Sequence, residues 1–268
     1  MNMIMMMKIS KSKVPFLITT FDDRYFLVDN LLQDISNLFD ESLVFLASEK
    51  EEYTNNHKNI KFTHLKYPEK DRTNNRKNEC QSWGYRLFES LKYLKNKGHK
   101  YVVWLCDDTR ISEVNHTFDL IDVMGKHQID RFHLSNITTR IYKLENFEGE
   151  LKKIHPSSQY YSSHQISCWD IDSLLTVTKP SDTAGKHEGQ AGERAREKNM
   201  LFICNQPPIY HACNNYTEYS GGWGLQNEEE IFAWIERLKN HENFKNPNGK
   251  FTYNGAIFNK DGYKIGEH

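Results

Sequence analysis

The stretch YVVWLCDDTRIS (Tyr101–Ser112) places Asp107 and Asp108 side by side directly after an apolar, strand-like run. Adjacent carboxylates repel each other at the end of a buried strand unless another group offsets the repulsion. A divalent cation would do so, because Mg²⁺ and Mn²⁺ prefer carboxylate oxygens and are completed by waters and substrate phosphates. The alternative is a helix N-terminus, with Asp108 or Ser112 as its cap. The pairing of two acids favours the metal.

Strand and helix patterns alternate on the N-terminal side of this stretch. Strand-like runs cover Val14–Thr20, Ser42–Glu49 and Ile60–Pro68, and helical periodicity follows the first and third of them. The order β-α-β-β-α-β predicts a mostly parallel sheet whose ligands bind at the carboxyl ends of its strands. The polar residues expected to converge at that edge, which we call the rim, are Thr19, Thr20, Glu49, Asp107 and Asp108.

The second half of the sequence is less regular. A loop rich in Gly and Ser is predicted at 178–192, a short helix running into a strand at Glu193–Ile203, and an amphipathic helix after the cap Asn227. No repeat or long linker divides the chain. The predicted organisation is an N-terminal extension at 1–13, one catalytic domain at 14–240 and a β/turn extension at 241–268. Within the domain, 14–112 forms the nucleotide-binding half and 113–240 the acceptor half.

Composition narrows the functional classes. The 268 residues carry a formal net charge of −1, which argues against a general polyanion binder. The five cysteines lack the close spacing of zinc or redox motifs. No apolar run approaches the roughly 18 residues of a membrane span, and the apolar start is too short for a signal peptide. A cytoplasmic protein without a transmembrane segment is expected, and its oligomeric state stays open.

The chain lacks the sequence motifs of other protein classes that act on phosphates. A haloacid-dehalogenase-type phosphatase needs an acid two positions after the first Asp, where this chain has Thr109. A sugar-phosphate nucleotidyltransferase needs a glycine-rich loop after its first strand, and TTFDDRYFL (Thr19–Leu27) contains no glycine. Neither a Walker motif nor a dinucleotide-binding GxGxxG is present.

What remains is similar to the GT-A family of nucleotide-sugar glycosyltransferases, in particular its family 2-like branch. The resemblance covers about residues 14–225 and rests on the turn LITTFDD, the acid Glu49 after the second strand, the helix before the metal strand, and CDDT as a variant of the Asp-X-Asp signature. It implies a Rossmann-like α/β fold with a mixed, mostly parallel sheet flanked by helices. It also implies sugar transfer from a UDP-sugar to a hydroxyl, dependent on Mn²⁺ or Mg²⁺.

The resemblance assigns roles to the residues of the rim. Asp108 would ligate the metal, and Asp107 would contact the ribose or a metal-bound water. The residues implied to contact the base and ribose are Thr19, Thr20, Asp22 and Glu49. Plain alternatives are a helix cap for Thr20 and Asp22 and a surface acid for Glu49.

Further roles are implied for the second half. An inverting transferase needs a carboxylate base, for which Glu193 is preferred over Glu188 because it follows a glycine and opens the predicted helix. The helix dipole alone would also favour an acid there. His211 is implied as a third metal ligand, and Trp169 and Asp170 as sugar contacts. A core position is the alternative for Trp169, and a packed or surface histidine for His211.

The acceptor is left between two classes. A glycan or lipid-linked saccharide leads, and a modified base in DNA, as in the transferases of T-even-like phages, is the alternative. The DNA alternative rests on two basic runs that could grip phosphates while a base is flipped. These runs are Lys66, Lys70, Arg72, Arg76 and Lys77, and Lys186, Arg194, Arg196 and Lys198. A catalytically silent nucleotide-sugar-binding module is the third possibility.

Overall fold

The computed structural model describes residues 14–20, 25–49, 52–68, 82–114, 119–135, 142–159, 161–214, 250–253, 256–259 and 264–267. The first elements are β1 (Phe16–Thr19), α1 (Tyr25–Leu38), β2 (Ser42–Ser48), β3 (Ile60–Lys66), α2 (Ser82–Asn96), β4 (Tyr101–Cys106), β5 (Thr109–Val114) and α3 (Leu120–His127). They are followed by β6 (Arg131–His133), β7 (Leu144–Glu148), β8 (Leu151–Ile154), β9 (Ser167–Asp170), α4 (Ile171–Val177), α5 (Ala184–Glu197), β10 (Phe202–Asn205) and β11 (Tyr210–Asn214). The last strands are β12 (Lys250–Tyr253), β13 (Ala256–Asn259) and β14 (Lys264–Glu267).

One nine-stranded sheet has the order β3-β2-β1-β4-β9-β6-β10-β8-β7. Strands β3, β2, β1 and β4 are mutually parallel, as the alternation of strands and helices predicted. Strand β9 is antiparallel to both of its neighbours, β4 and β6, whereas β10 is parallel to β6. The predicted mixed α/β fold class is therefore confirmed, and its four adjacent parallel strands come from the N-terminal half of the chain.

Both faces of the central strands are buried, which explains their nearly continuous apolar sequences. In β1, Phe16 and Ile18 pack into one core cluster with Val28 and Leu31 of α1. Leu17 faces the opposite cluster, which α2, α4 and α5 cover. The central strands thus lie between two layers of side chains, which leaves their ends as the place where a ligand could reach them.

The structure overturns one alternative interpretation and one predicted local structure. Asp107 and Asp108 form a turn from β4 into β5, so neither Asp108 nor Ser112 caps a helix. The predicted loop at 178–192 instead contains the start of α5, whose N-cap Thr183 accepts a hydrogen bond from the backbone N–H of Lys186. The strand β5 leaves the main sheet and pairs antiparallel with β11.

The C-terminal strands β12, β13 and β14 form a three-stranded antiparallel sheet, and the domain bounds given from the sequence stay a prediction. The helix predicted after Asn227 lies outside the described residues. Within the part of the chain that is described, none of the helices has the length and hydropathy that a membrane span requires.

Candidate functional site

The centre of the candidate site is the seam between β1 and β4. Thr20 Oγ1 donates a 2.5 Å hydrogen bond to Asp107 Oδ2, and both side chains are buried. One position earlier, the indole Nε1 of Trp104 donates to Thr19 Oγ1 at 3.4 Å. The chain leaves β1 toward β2 on one side and enters β4 on the other, so this seam is a topological switch point of the parallel strands. Ligands of open α/β sheets bind at such points.

The turn that carries Asp108 is anchored from the side of β5. The Arg110 guanidinium forms a bidentate ion pair with Asp34 of α1, at 2.5 and 2.9 Å, and the backbone N–H of Ile111 donates to the same carboxylate. Asp34 is buried, so this pairing fixes the start of β5 against α1. The half-buried Asp108 is thereby held beside Asp107 at the rim.

The donor chemistry of the turn fits a hard cation that is completed by substrate. Among the described residues, no group of three or more His, Cys, Asp or Glu side chains is arranged to hold a metal ion. Mg²⁺ requires no such group, because it keeps several waters and is commonly bound through one or two carboxylates plus phosphates. Asp107 and Asp108 are the residues that could hold it.

Glu49 lies at the end of β2 with a buried carboxylate. Its Oε1 is 3.7 Å from Nη1 of Arg86 in α2, and both side chains are at most 3% exposed. The alternative of a surface acid is therefore wrong. Contact with a nucleotide base stays a prediction, and it would require the base to reach a carboxylate that already faces a guanidinium.

Glu188 lies beside a cluster of buried rings at the same edge. Its Oε1 accepts a hydrogen bond from the backbone N–H of His164 at 3.4 Å. The His164 ring packs against Trp104, with ring centroids 5.2 Å apart, and Trp104 contacts Thr19 at the seam. A continuous series of contacts therefore connects Glu188 to the carboxyl end of β1.

Glu193 has a different environment from the predicted one. It lies in the second half of α5 and is exposed, so it does not open a helix and the dipole argument does not apply to it. Glu188 precedes it on the same helix and is half-buried. The geometry therefore favours Glu188 over Glu193, the reverse of the sequence-based preference.

The predicted sugar contacts at the end of β9 are wrong. Strand β9 runs antiparallel to β4, and Asp170 pairs with Tyr101 at the amino end of that strand. Since β4 has six residues, Asp170 lies roughly 16 Å from the rim. Trp169 is fully buried in the core, and the Asp170 carboxylate caps α4 by accepting from Ser173 N.

Two further predicted residues are described only in part or not at all. Asp22 lies outside the described residues. The backbone of His211 lies in β11 opposite Glu113, whereas Thr109 is opposite Asn214. His211 is therefore four positions, roughly 13 Å, along β5 from the turn. Its role as a metal ligand stays a prediction.

Several side chains of the basic runs proposed to bind DNA instead contact other groups within the protein. Arg194 forms an ion pair with the buried Asp182, and Arg196 donates to the backbone carbonyls of Pro156 and Ser158. Lys66 pairs with Glu52. The remaining residues of the first run lie outside the described residues. The second run is thus not a row of side chains available for phosphates.

Sequence reasoning missed the buried polar residues behind the rim. Arg86, His164 and His187 are separated widely along the chain, and isolated histidines and arginines carry no motif that marks them. The one available signal was the HE pair at His187 and Glu188, where a candidate base directly follows a titratable residue.

Comparison with known proteins gives a distant likeness only. No family model matches the chain, and no curated protein matches it. Similar solved structures include UDP-glucose pyrophosphorylase complexed with UDP-glucose, with a TM-score of 0.42 and 11% identity over 76% of this chain and 91% of that chain. The apo form of a UDP-glucose pyrophosphorylase has a TM-score of 0.42 and 10% identity over 77% and 93% of the two chains. A197 from STIV has a TM-score of 0.41 and 13% identity over 77% and 87%. Identities and TM-scores this low carry no information on the activity of this chain.

Proposed function

We propose that this protein is a metal-dependent glycosyltransferase that moves a sugar from a UDP-sugar to a hydroxyl acceptor. The observation that carries the proposal is the hydrogen bond from Thr20 to Asp107, which joins the carboxyl ends of β1 and β4 directly beside Asp108. Two acids at the switch point of a parallel sheet suit a nucleotide diphosphate held through a cation.

Asp107 and Asp108 are the residues that would hold Mn²⁺ or Mg²⁺. The cation would neutralise the charge that the diphosphate gains as the glycosidic bond breaks. Thr19 and Thr20, at the end of β1, would lie against the nucleoside. The bidentate pair of Arg110 with Asp34 contributes by keeping the turn in place before the donor arrives.

Glu188 is the proposed base. In an inverting reaction the acceptor hydroxyl oxygen attacks the anomeric carbon, the bond from that carbon to the diphosphate breaks, and the hydroxyl proton passes to the Glu188 carboxylate. A base must reach that proton within hydrogen-bonding distance. The half-buried position of Glu188, connected to the rim through His164 and Trp104, supports this role better than the exposed position of Glu193.

A glycan or lipid-linked saccharide is the preferred acceptor. The DNA alternative depended on basic side chains that are available for phosphates, and Arg194 and Arg196 are engaged within the fold. Binding whose affinity falls steeply with salt on duplex DNA would favour the DNA acceptor instead. A silent nucleotide-sugar-binding module would show donor binding without any Mn²⁺-dependent release of UDP from a UDP-sugar.

The decisive experiment is a thermal-shift comparison with UDP, in the presence and absence of Mn²⁺. Wild-type protein should gain melting temperature with UDP only when Mn²⁺ is present, and Asp108→Ala should lose that gain. Asp172→Ala is the matched control, because Asp172 is an exposed acid that follows Asp170 at the opposite end of the sheet. An Asp108→Ala protein that responds like wild type would refute the metal assignment.

A further inference from the structure

Glu188 and its neighbour His187 make two contacts with a single residue on another segment. The backbone N–H of His164 donates to Glu188 Oε1 at 3.4 Å, and His164 Nε2 lies 3.1 Å from His187 Nδ1. Both contacts connect α5 to the segment that leads into β9. Two contacts between one residue and two consecutive helical residues restrict rotation as well as translation of the helix at that point. We call this arrangement the His164 clamp.

Aromatic rings and a hydroxyl hold the imidazoles of the clamp. The His164 ring stacks on Trp83 with centroids 4.9 Å apart and an interplanar angle of 18°. The His187 ring has its own partner, because its Nε2 lies 3.0 Å from Thr178 Oγ1. His187 is fully buried. Each ring of the pair is therefore fixed by a partner in addition to the other imidazole.

Burial, reinforced by neighbouring charges, keeps both imidazoles neutral. Burial lowers the pKa of His164 well below its ordinary value, and His187 and Arg131 lower it further. Burial also lowers the pKa of His187, to about 3, with smaller effects from Arg194 and Arg131. A neutral pair can share one proton in the Nε2–Nδ1 contact, whereas two imidazoliums would repel each other.

We infer that the His164 clamp positions Glu188 for proton transfer, with His164 and His187 acting as positioning residues. The inference rests on the proposed function, because it assigns the clamp to the base of that reaction. The backbone N–H of His164 occupies one carboxylate oxygen and sets the orientation of the group. Since a displacement of about 1 Å in a reacting group can cost on the order of 100-fold in rate, a clamp of this kind has a measurable effect on turnover.

Two substitutions of His187 separate its two contacts. His187→Asn keeps a polar atom near the Nδ1 position that faces His164, whereas His187→Gln keeps one near the Nε2 position that faces Thr178. We expect His187→Gln to lower kcat for UDP-sugar turnover on the order of 10-fold with an unchanged KM for the donor, and His187→Asn to stay within about 3-fold of wild type. A general loss of structure would affect both variants and the KM.

A second measurement does not depend on activity. The backbone amide of His164 should follow the titration of the Glu188 carboxylate in a ¹H–¹⁵N NMR pH series, and Glu188→Gln should abolish that response. His187→Gln should weaken the response and His187→Asn should retain it. If His187→Gln does not fold, the comparison of wild type with Glu188→Gln still tests the amide contact.

The two proposals fail in different ways. A His164 amide that is insensitive to Glu188→Gln, or equal behaviour of His187→Gln and His187→Asn, would overturn the clamp. A wild-type protein that shows the NMR response but neither binds UDP with Mn²⁺ nor turns over UDP-sugars would overturn the proposed function and leave only the structural contact.

Discussion

Thr20 and Asp107 are 87 positions apart in the sequence, and their side chains share a buried 2.5 Å hydrogen bond at the carboxyl ends of two parallel strands. The bond orients the Asp107 carboxylate while the neighbouring Asp108 remains half-buried. A hydroxyl that donates to one oxygen of a carboxylate stabilises its charged form. The repulsion between adjacent acids is therefore partly offset by the protein before any cation binds.

Replacing this hydroxyl should cost stability. We expect Thr20→Val to lower the free energy of unfolding by about 1–3 kcal/mol, because the variant removes a buried donor to a charged acceptor. Thr20→Ser keeps the hydroxyl and is the matched control, with an expected cost below about 1 kcal/mol. Urea denaturation of the three proteins measures the difference. Equal stability of Thr20→Val and wild type would contradict the importance of the bond.

The two glutamates of α5 should differ in activity. Glu188→Gln should lower kcat by about 10²–10⁴-fold, the range that a general base contributes, while Glu193→Gln stays within about 2-fold of wild type. Each substitution removes only the charge, so both variants should fold. Steady-state turnover of the best UDP-sugar in a donor screen measures the effect. A large loss for Glu193→Gln with an active Glu188→Gln would reverse the assignment.

The rim was predictable because its signals are local. An apolar run that ends in acids identifies β4 and its turn, and the alternation of strands and helices places β1, β2 and β4 in one parallel group. Parallel strands bring their carboxyl ends together whatever the details of packing. Thr20 and Asp107 were therefore expected at one edge, although nothing in the sequence indicated that they bond directly.

The start of α5 and the direction of β9 were not predictable, because tertiary contacts decide them. The glycines of α5 favour a loop by propensity. Gly192, however, lies on the face of α5 toward Ser162, where a Cβ added to the glycine would be 3.4 Å from the Ser162 backbone nitrogen. This face of α5 therefore packs within van der Waals distance of the segment that leads to His164. The antiparallel direction of β9 likewise has no local signal in the sequence. It places Asp170 at the amino end of β4, opposite the rim.

The buried pair of Glu49 and Arg86 should be strongly coupled. Removing either partner takes away a buried counter-charge 3.7 Å from the other, so Glu49→Gln and Arg86→Met should each lower the free energy of unfolding by roughly 3–5 kcal/mol. The double variant should be less unstable than the sum of the two single variants. A double-mutant cycle by urea denaturation tests this, and additive effects would show that the 3.7 Å pair contributes little.

Acid should destabilise the protein partly through His187. Burial lowers the pKa of His187 to about 3 in the folded state, whereas an exposed histidine titrates near 6.5. Between these values the unfolded chain binds a proton that the folded protein does not, so lowering the pH favours unfolding. The contribution of the neutral imidazole is therefore fully present above about pH 6.5 and is lost progressively toward pH 3.

His187→Asn removes this titration and keeps a polar contact toward His164, and it also relieves the lowering of the His164 pKa by His187, which acts in the same direction. The stability advantage of wild type over His187→Asn should shrink by up to about 1.4 kcal/mol for each pH unit below about 6. Urea denaturation at pH 7.5, 6.5, 5.5 and 4.5 measures the two free energies of unfolding. Carboxylate titrations are common to both proteins and cancel in the difference. A difference that stays constant from pH 7.5 to 4.5 would show that His187 is not held neutral in the folded protein.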